Sequence, residues 1–410
     1  MYLIHHLNRE LLEREARGLR RSRRVAESPC TPRQRFSHLG LPGCDPVSFC
    51  SNDYLGLANH PALIEALVEG AQRYGAGSGA SHLISGHSRA HAEFEDDLAA
   101  WMATCIPGAK ALGFCTGYMA NMALLTALGD ANATIFSDDF NHASIIDGAR
   151  LAKAQVQRYP HRDIVMLEDL LRRAASPIKL IVTDAVFSMD GDLADLPGLL
   201  ELCERFDAWL VVDDAHGFGV LGPHGQGSLG HFGLCSERLI YMGTLGKAAG
   251  VGGAFVAAHP SVIDWLVQTA RPYIYTTASP PALAHALRVS LRLVGSEEGD
   301  ERRASLQRLG RLLRAQLQCL VDANPGLGWV LPASETAIQP LIVGANETAL
   351  ALATALEARG ILVPAIRPPT VPVGTSRLRI TLSASHTARD VQRLVDGLTH
   401  AAREPSEPTP

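Results

Sequence analysis

The chain is short of lysine. Of its 37 basic residues only Lys110, Lys153, Lys179 and Lys247 are lysines; the rest are arginines. Positive charge is not in excess either. Against 42 acidic residues the formal net charge is −5 and the isoelectric point about 6.3, so the charge balance offers nothing to attract nucleic acid. No apolar run approaches the roughly 18 residues of a membrane helix. Eight cysteines, at 30, 44, 50, 105, 115, 203, 235 and 319, are scattered without a C-x-x-C pair. They read as small core residues of a protein kept in a reducing, cytoplasmic setting. His87 and His91 have helical i, i+4 spacing, but no H-E-x-x-H or Cys/His cluster surrounds them, and the expected metal content is none.

A chain that uses arginine for almost every cation, yet sets Lys247 in the glycine-rich run Gly243 to Gly253, has a use for an amine there. A guanidinium stays protonated and is a poor nucleophile, whereas a lysine amine can form a Schiff base with an aldehyde. Two plainer readings compete. One is a solvated loop charge. The other is a phosphate loop, G-x-x-x-x-G-K-[ST], which fails here because Tyr241 and Ala248 stand where Gly and Ser/Thr are required.

Upstream, Trp209-Leu210-Val211-Val212 is an apolar run that ends in Asp213, Asp214 and His216. Such runs suit strands buried on both faces of a parallel sheet, and ligands of open α/β sheets sit at the carboxyl ends of the strands. A carboxylate there can keep a pyridine nitrogen protonated, or merely cap the next helix. Gly217 to Gly222 matches G-x-G-x-x-G, but Pro223 and a loop follow where a dinucleotide site needs a helix.

Length and pattern predict two domains behind an N-terminal segment. Of the first segment, 1–50, residues 1–24 form an amphipathic helix in which Leu3, Leu7 and Leu11 recur every four residues ahead of a run of arginines, and residues 25–50 form a Pro/Gly/Cys-rich linker. The basic residues follow the apolar ones, the reverse of a signal peptide, and Glu10, Glu13 and Glu15 argue against a transit peptide. Residues 51–290 form a large domain. It holds a flexible Gly75–Ser81 loop, a helix over 91–102, a strand over 111–115 and a helix opened by Thr116-Gly117-Tyr118, whose N-terminus suits phosphate. Strands at 133–137, 155–159, 180–186 and 209–213 alternate with helices at 144–153, 163–175 and 198–206. That alternation predicts an α/β fold with a mainly parallel central sheet covered by helices on both faces. His142, in a polar turn after a strand, is by type a capping or surface residue. Residues 271–281 read as a rigid loop with clustered hydroxyls. Residues 291–402 form a smaller α+β domain: a long helix marked by Leu306, Leu309, Leu313, Leu317 and Leu320, strands near 328–331, 337–343, 361–366 and 377–382, and helices at 347–359 and 387–401. Residues 403–410 are a polar, Pro-containing, disordered tail.

D-D-A-H-G-F-G at 213–219 followed by T-L-G-K at 244–247 resembles the α-oxoamine synthases among the fold-type I pyridoxal-phosphate enzymes. The resemblance runs on through Ser51 to Leu57, Gly75 to Ser88, Asn141 to Ser144, Val186 to Asp192 and Arg377-Leu378-Arg379, and so covers nearly the whole chain. It implies pyridoxal 5'-phosphate as cofactor and a homodimer with shared active sites. Lys247 would hold the cofactor and move the Cα proton. Asp213 would face the ring nitrogen, His142 the ring and substrate, and His216 the phenolic oxygen. Ser188 would line the site; Gly117, Tyr118 and Thr244 would take the phosphate, with Thr277 reaching that of the neighbouring subunit. Arg379 would clamp the amino-acid carboxylate, with Arg20, Asn52 and Thr370 also on the substrate side. Gly77 to Gly86 and Ala365-Ile366-Arg367-Pro368-Pro369-Thr370 are similar to the branch that joins L-alanine to a pimeloyl thioester, carried by coenzyme A or acyl carrier protein. His82-Leu83 departs from the glycine-histidine usual there. A glycine-using, acetyl-transferring relative and a non-catalytic partner subunit are the alternatives; a partner subunit would lack Lys247.

Overall fold

The computed structural model describes residues 1–21, 23–37 and 45–403. Cys44 and the tail beyond Arg403 lie outside the described residues. Contacts divide the chain into a larger unit, Asp53–Ser188 with Asp192–Ala304, and a smaller one, Met1–Asn52 with Met189–Gly191 and Ser305–Pro410. The division falls within the helix Glu297–Ala323 rather than at 290, which lies inside the helix Pro281–Val294.

The larger unit is built on seven strands: β1 (Lys110–Phe114), β2 (Ala133–Asp138), β3 (Gln155–Tyr159), β4 (Ile178–Asp184), β5 (Trp209–Asp213), β6 (Leu239–Thr244) and β7 (Ala254–Ala258). Their order is β1-β7-β6-β5-β4-β2-β3, and only β7 runs against its neighbours. The pleat explains why the strands read as continuous apolar runs. Leu210, Val212, Leu239 and Tyr241 enter the core on one face; Val211, Ile240 and Met242 enter the core on the other. Both faces are covered, so no polar alternation is needed. Crossover helices Ala143–Leu151, Ile164–Arg173 and Leu196–Phe206 begin on capping side chains of His142, Asp163 and Asp195.

The smaller unit carries β8 (Ile338–Gly344), β9 (Ala365–Ile366) and β10 (Ser376–Thr381), ordered β9-β10-β8 and antiparallel. Leu306, Leu309, Leu313, Leu317 and Leu320 are buried on the long helix. Three expectations need correction. The segment 361–366 is two short strands in different sheets, Ile361–Leu362 pairing with Val47–Ser48 and β9 pairing with β10. Pro364, without an N–H, cannot continue a ladder between them. Near 328–331 only a single bridge, Val330 to Ile342, forms, ahead of Pro332. The N-terminal helix stops at Ala16, and Leu3, Leu7 and Leu11 are exposed on it. In the larger unit, the 271–281 loop opens with a short helix, Arg271–Ile274. Among the described residues no helix is long and apolar enough to cross a membrane.

One ion cluster fixes the carboxyl end of β2. Asp138 accepts from Phe140 N (2.8 Å) and Arg162 N (2.9 Å), and His161 lies between Asp138 (3.1 Å) and Asp192 (2.9 Å). Burial alone would lower the His161 pKa, but its bonds to Asp138 and then Asp192 outweigh that and raise it to about 9. A raised histidine pKa contributes stability that is full below the unfolded value of about 6.5 and is lost as pH climbs through the folded value. His161→Gln should therefore melt well below the parent at about pH 6, with the gap narrowing toward about pH 10. A gap that stays constant in thermal melts across that range would refute the assignment.

Candidate active site

Six strands of one direction deliver their carboxyl ends to one side of the sheet, and five of them carry the site. After β1, Thr116 caps the helix Gly117–Leu128, its side chain accepting from Met119 N. After β2 come Asn141 and His142. Ser188 follows β4, Asp213 ends β5 with His216 next, and Thr244 ends β6 ahead of Lys247. Gly117, Tyr118, His142, Ser188, Asp213, His216, Thr244 and Lys247 all line one cavity of about 190 Å³.

The lysine is placed by a loop closed on itself. Leu245 N donates to Gly253 O (2.9 Å), Val251 N to Leu245 O (3.1 Å) and Gly250 N to Lys247 O (2.9 Å). Gly250 has φ +71°, and a Cβ there would meet the Leu57 carbonyl carbon at 2.6 Å, so only glycine turns the chain at that point. The Lys247 Nζ lies 2.9 Å from His216 Nε2. The other ring nitrogen, Nδ1, is 2.6 Å from the Tyr54 hydroxyl. The imidazole thus links a phenol to the amine, with its tautomer set by which of the two donates.

Asp213 is buried and hydrogen-bonded from within its own unit. Asn121 Nδ2 donates to Oδ2 (2.6 Å) and Ala215 N to Oδ1 (3.0 Å). The same Asn121 amide donates to Ser144 Oγ (2.9 Å), which is 2.7 Å from His142 Nδ1. His142 caps its helix, as its type suggested, and also faces the cavity; its N–H donates to Asp184 Oδ2 (2.8 Å). Burial lowers the His142 pKa, with Asp213 pulling the other way and Lys247 adding to the drop. Burial and the neighbouring Asp213 raise that of Asp184. Motif reading missed Tyr54, Asn121, Ser144 and Asp184 as members of the site. Tyr54 and Ser144 stood inside recognised motifs, but their partners, His216 and Asn121, come from other segments of the chain.

An aromatic aldehyde phosphate suits these donors. Lys247 supplies an amine, Asp213 an anion for a protonated ring nitrogen, and Gly117 a helix start with unpaired N–H groups. The space at that helix start depends on glycine: a Cβ on Gly117 would meet Thr244 Oγ1 at 2.7 Å. Thr277 lies outside this cavity, exposed, its carbonyl accepting from Cys115 Sγ at 3.8 Å. The other expected residues belong to the smaller unit. There Arg379, buried on β10, reaches Asn52 Oδ1 with both Nη atoms at 3.3 Å. Arg20 is exposed and pairs with Glu15 at 2.6 Å. Thr370 borders a cavity of about 240 Å³ with Arg14, Arg21 and Arg367.

A chain whose sheet edge gathers an amine, a carboxylate and a helix start in this way is expected to match known enzymes along its length, and it does. The chain belongs to the aminotransferase class I and II family, whose model matches residues 45–398. A relative from Polaromonas sp. (strain JS666), an 8-amino-7-oxononanoate synthase 2, is 73% identical over 402 residues, covering 98% of this chain and 99% of the relative. Among solved structures, a serine palmitoyltransferase variant from S. paucimobilis with bound PLP superposes with a TM-score of 0.87 at 28% identity, covering 97% of each chain. The 8-amino-7-oxononanoate synthase of Francisella tularensis superposes with a TM-score of 0.73 at 30% identity, covering 87% of this chain and 97% of that one.

The Asn121 side chain tests the network. Asn121→Ala leaves the buried Asp213 oxygen and Ser144 without their shared donor. A hydrogen bond to a charged group contributes about 1.5–3 kcal/mol, and a loss of that size is expected in denaturant unfolding. A variant as stable as the parent would show that Asp213 does not depend on this amide.

Proposed function

We infer that the chain is a pyridoxal-phosphate-dependent acyltransferase that condenses L-alanine with a pimeloyl thioester to 8-amino-7-oxononanoate, with loss of CO2 and the thiol, in biotin synthesis. The observation that carries the chemistry is the Lys247 amine in a cavity that also holds Asp213, His216 and the Gly117 helix start. The choice of substrates rests on the near full-length likeness to the Polaromonas enzyme.

Bound pyridoxal phosphate supplies an aldehyde and an electron sink for the pair left when Cα loses its proton. The chain's residues do the rest. The Lys247 amine would hold the cofactor and, once an incoming amino acid has taken its place, would accept the Cα proton on Nζ. His216 Nε2, 2.9 Å from that amine, keeps it oriented and carries the hydrogen bond to the phenolic oxygen. Asp213 keeps a proton on the ring nitrogen, and its charge is worth most because the site is buried. His142 would lie against the ring, and Ser188 would border it. The N–H groups at Gly117 and Tyr118, with the Thr244 hydroxyl, would hold the phosphate. Arg379 is assigned the amino-acid carboxylate, a task for a planar fork of donors. Asn52 orients that guanidinium, and Arg20 and Thr370 take the acyl partner. Either coenzyme A or acyl carrier protein would present the acyl group. We assign the reaction to the cytoplasm.

Two measurements test this reading. Borohydride treatment of the purified enzyme should fix the cofactor to the peptide containing Lys247 and to no other lysine peptide. Product formation should be fastest with alanine and pimeloyl thioester against glycine and against acetyl, succinyl and palmitoyl thioesters. Alanine differs from glycine by one methyl, which discriminates by only about 1–3 kcal/mol, so the acyl panel is the sharper comparison. Preference for glycine with acetyl thioester would overturn the substrate assignment.

Thr277 is assigned to the phosphate of a second subunit, which makes the enzyme a homodimer with shared sites. Sedimentation should give a dimer at assay concentration, and Thr277→Val should weaken cofactor retention. A fully active monomer would contradict both statements.

A further inference from the structure

His87 and His91 share a helical spacing, and the fold adds a third imidazole. Ser81 leads into a π-helical turn, His82–Gly86, closed by Gly86 N donating to Ser81 O at 2.9 Å. The chain returns so close to itself there that a Cβ on Gly86 would meet the Ala80 carbonyl oxygen at 2.1 Å. The turn brings His82 back against the start of the helix Arg89–Met102. The ligating atoms of His82, His87 and His91 all lie within 4.8 Å of one another. None of the three lines the Lys247 cavity.

The spacing fits one ion. The ring centroids stand 5.3 Å (His82–His87), 5.1 Å (His82–His91) and 5.6 Å (His87–His91) apart. Three imidazoles bonded at about 2.0–2.1 Å to a tetrahedral zinc-like ion place their centroids about 3.2 Å from it, and so about 5.2 Å from each other. His82 Nδ1 and His87 Nδ1 are 3.0 Å apart, close to the roughly 3.3 Å between two ligand nitrogens of such an ion. Behind His87, its Nε2 faces Glu95 Oε2 at 3.8 Å. A carboxylate at the far nitrogen is the usual orienting partner of a metal-bound histidine. The other Glu95 oxygen, Oε1, accepts from Gly113 N at 2.8 Å, which anchors the carboxylate to β1.

We propose that His82, His87 and His91 bind one divalent transition-metal ion of the zinc or cobalt kind, with Glu95 orienting His87. His82 and His87 ligate through Nδ1. His91 joins by releasing the contacts its Nδ1 makes with Ser88 N (3.1 Å) and Oγ (3.0 Å), while Nε2 keeps the Ser279 carbonyl at 2.9 Å. Imidazole sets of this kind favour zinc, cobalt, nickel and copper over calcium or magnesium. Access is through His87, which is exposed. The remaining coordination position is left to water. His82 stacks on Tyr273 with centroids 4.8 Å apart. Through that contact and Ser279 the ion braces the 273–279 segment against the helix Arg89–Met102.

The test is a titration of chelator-treated holoenzyme with cobalt(II), followed by visible absorption. The expected result is saturation at one ion per chain, with nitrogen-rich tetrahedral bands, and a rise in melting temperature. Glu95→Gln should weaken binding by about 10–100-fold, and His82→Asn or His87→Gln by more. His87→Gln changes an exposed side chain, so it separates lost binding from lost folding. A double His5→Gln, His6→Gln variant, which removes the adjacent pair on the N-terminal helix, should bind as the parent does. Absence of saturable binding, unchanged affinity in His82→Asn and His87→Gln, or loss of binding in the N-terminal double variant would each overturn the proposal.

Discussion

The bond between the Asn121 amide and the Asp213 carboxylate is the contact on which the cavity of the larger unit depends. A buried carboxylate is costly unless donors meet it, and Asp213 sits at the end of a strand covered on both faces. Asn121 comes from the helix that follows β1, so satisfying the charge fixes that helix against β5. The same amide holds Ser144, and Ser144 holds His142. Asn141 donates to Val182 O (2.8 Å) and accepts from Asp184 N (2.9 Å), while Asp184 accepts from His142 N. The segments after β1 and β2 and the carboxyl ends of β4 and β5 are thus held by one network. Such networks are rigid when every member is satisfied.

The amine is placed by different physics. The loop from Leu245 to Gly253 closes through backbone bonds and packs against backbone at Gly250 and against Ser290, whose hydroxyl donates to Ala249 O at 2.6 Å. A lysine on a loose loop would spend its approach geometry on side-chain entropy. Here the backbone is set first, and His216 meets the amine at hydrogen-bond distance. Positioning of this kind is a large part of what a site contributes to a rate.

Much of the architecture was legible because its causes are local. Two-faced burial makes continuous apolar strands, and the leucine spacing of 306–320 makes a helix. The glycine-rich run around Lys247 was readable because lysine is so scarce in this chain. What the sequence did not show rests on distant partners or on a missing N–H. Tyr54 and His216 are 162 positions apart, and Asn121 and Asp213 are 92 apart; no spacing rule links them. The strand expected over 361–366 breaks at Pro364, which apolar pattern alone does not register. His91 was read only by its distance from His87, whereas the fold uses it as the helix-capping partner of Ser88. His82 reaches it through a turn that spacing rules do not describe.

The paired aspartates after β5 show how one motif serves two purposes. Successive residues of an extended chain point to opposite sides, so Asp213 faces the cavity and Asp214 turns inward. Asp214 accepts from Ser228 N (2.6 Å), Ser228 Oγ (2.6 Å) and the Tyr241 hydroxyl (2.7 Å). Burial pushes its pKa up to about 6 in spite of those donors. The glycines around it follow from that placement. A Cβ on Gly217 would meet Asp214 Oδ1 at 2.1 Å, and one on Gly227 would meet Oδ2 at 2.2 Å. Gly217 is therefore present to admit the Asp214 carboxylate rather than to cradle a nucleotide, which is why the G-x-G-x-x-G match beginning there leads to no dinucleotide site. In D-D-A-H-G the first aspartate and the histidine line the cavity. The second aspartate and the glycine hold the turn that presents them.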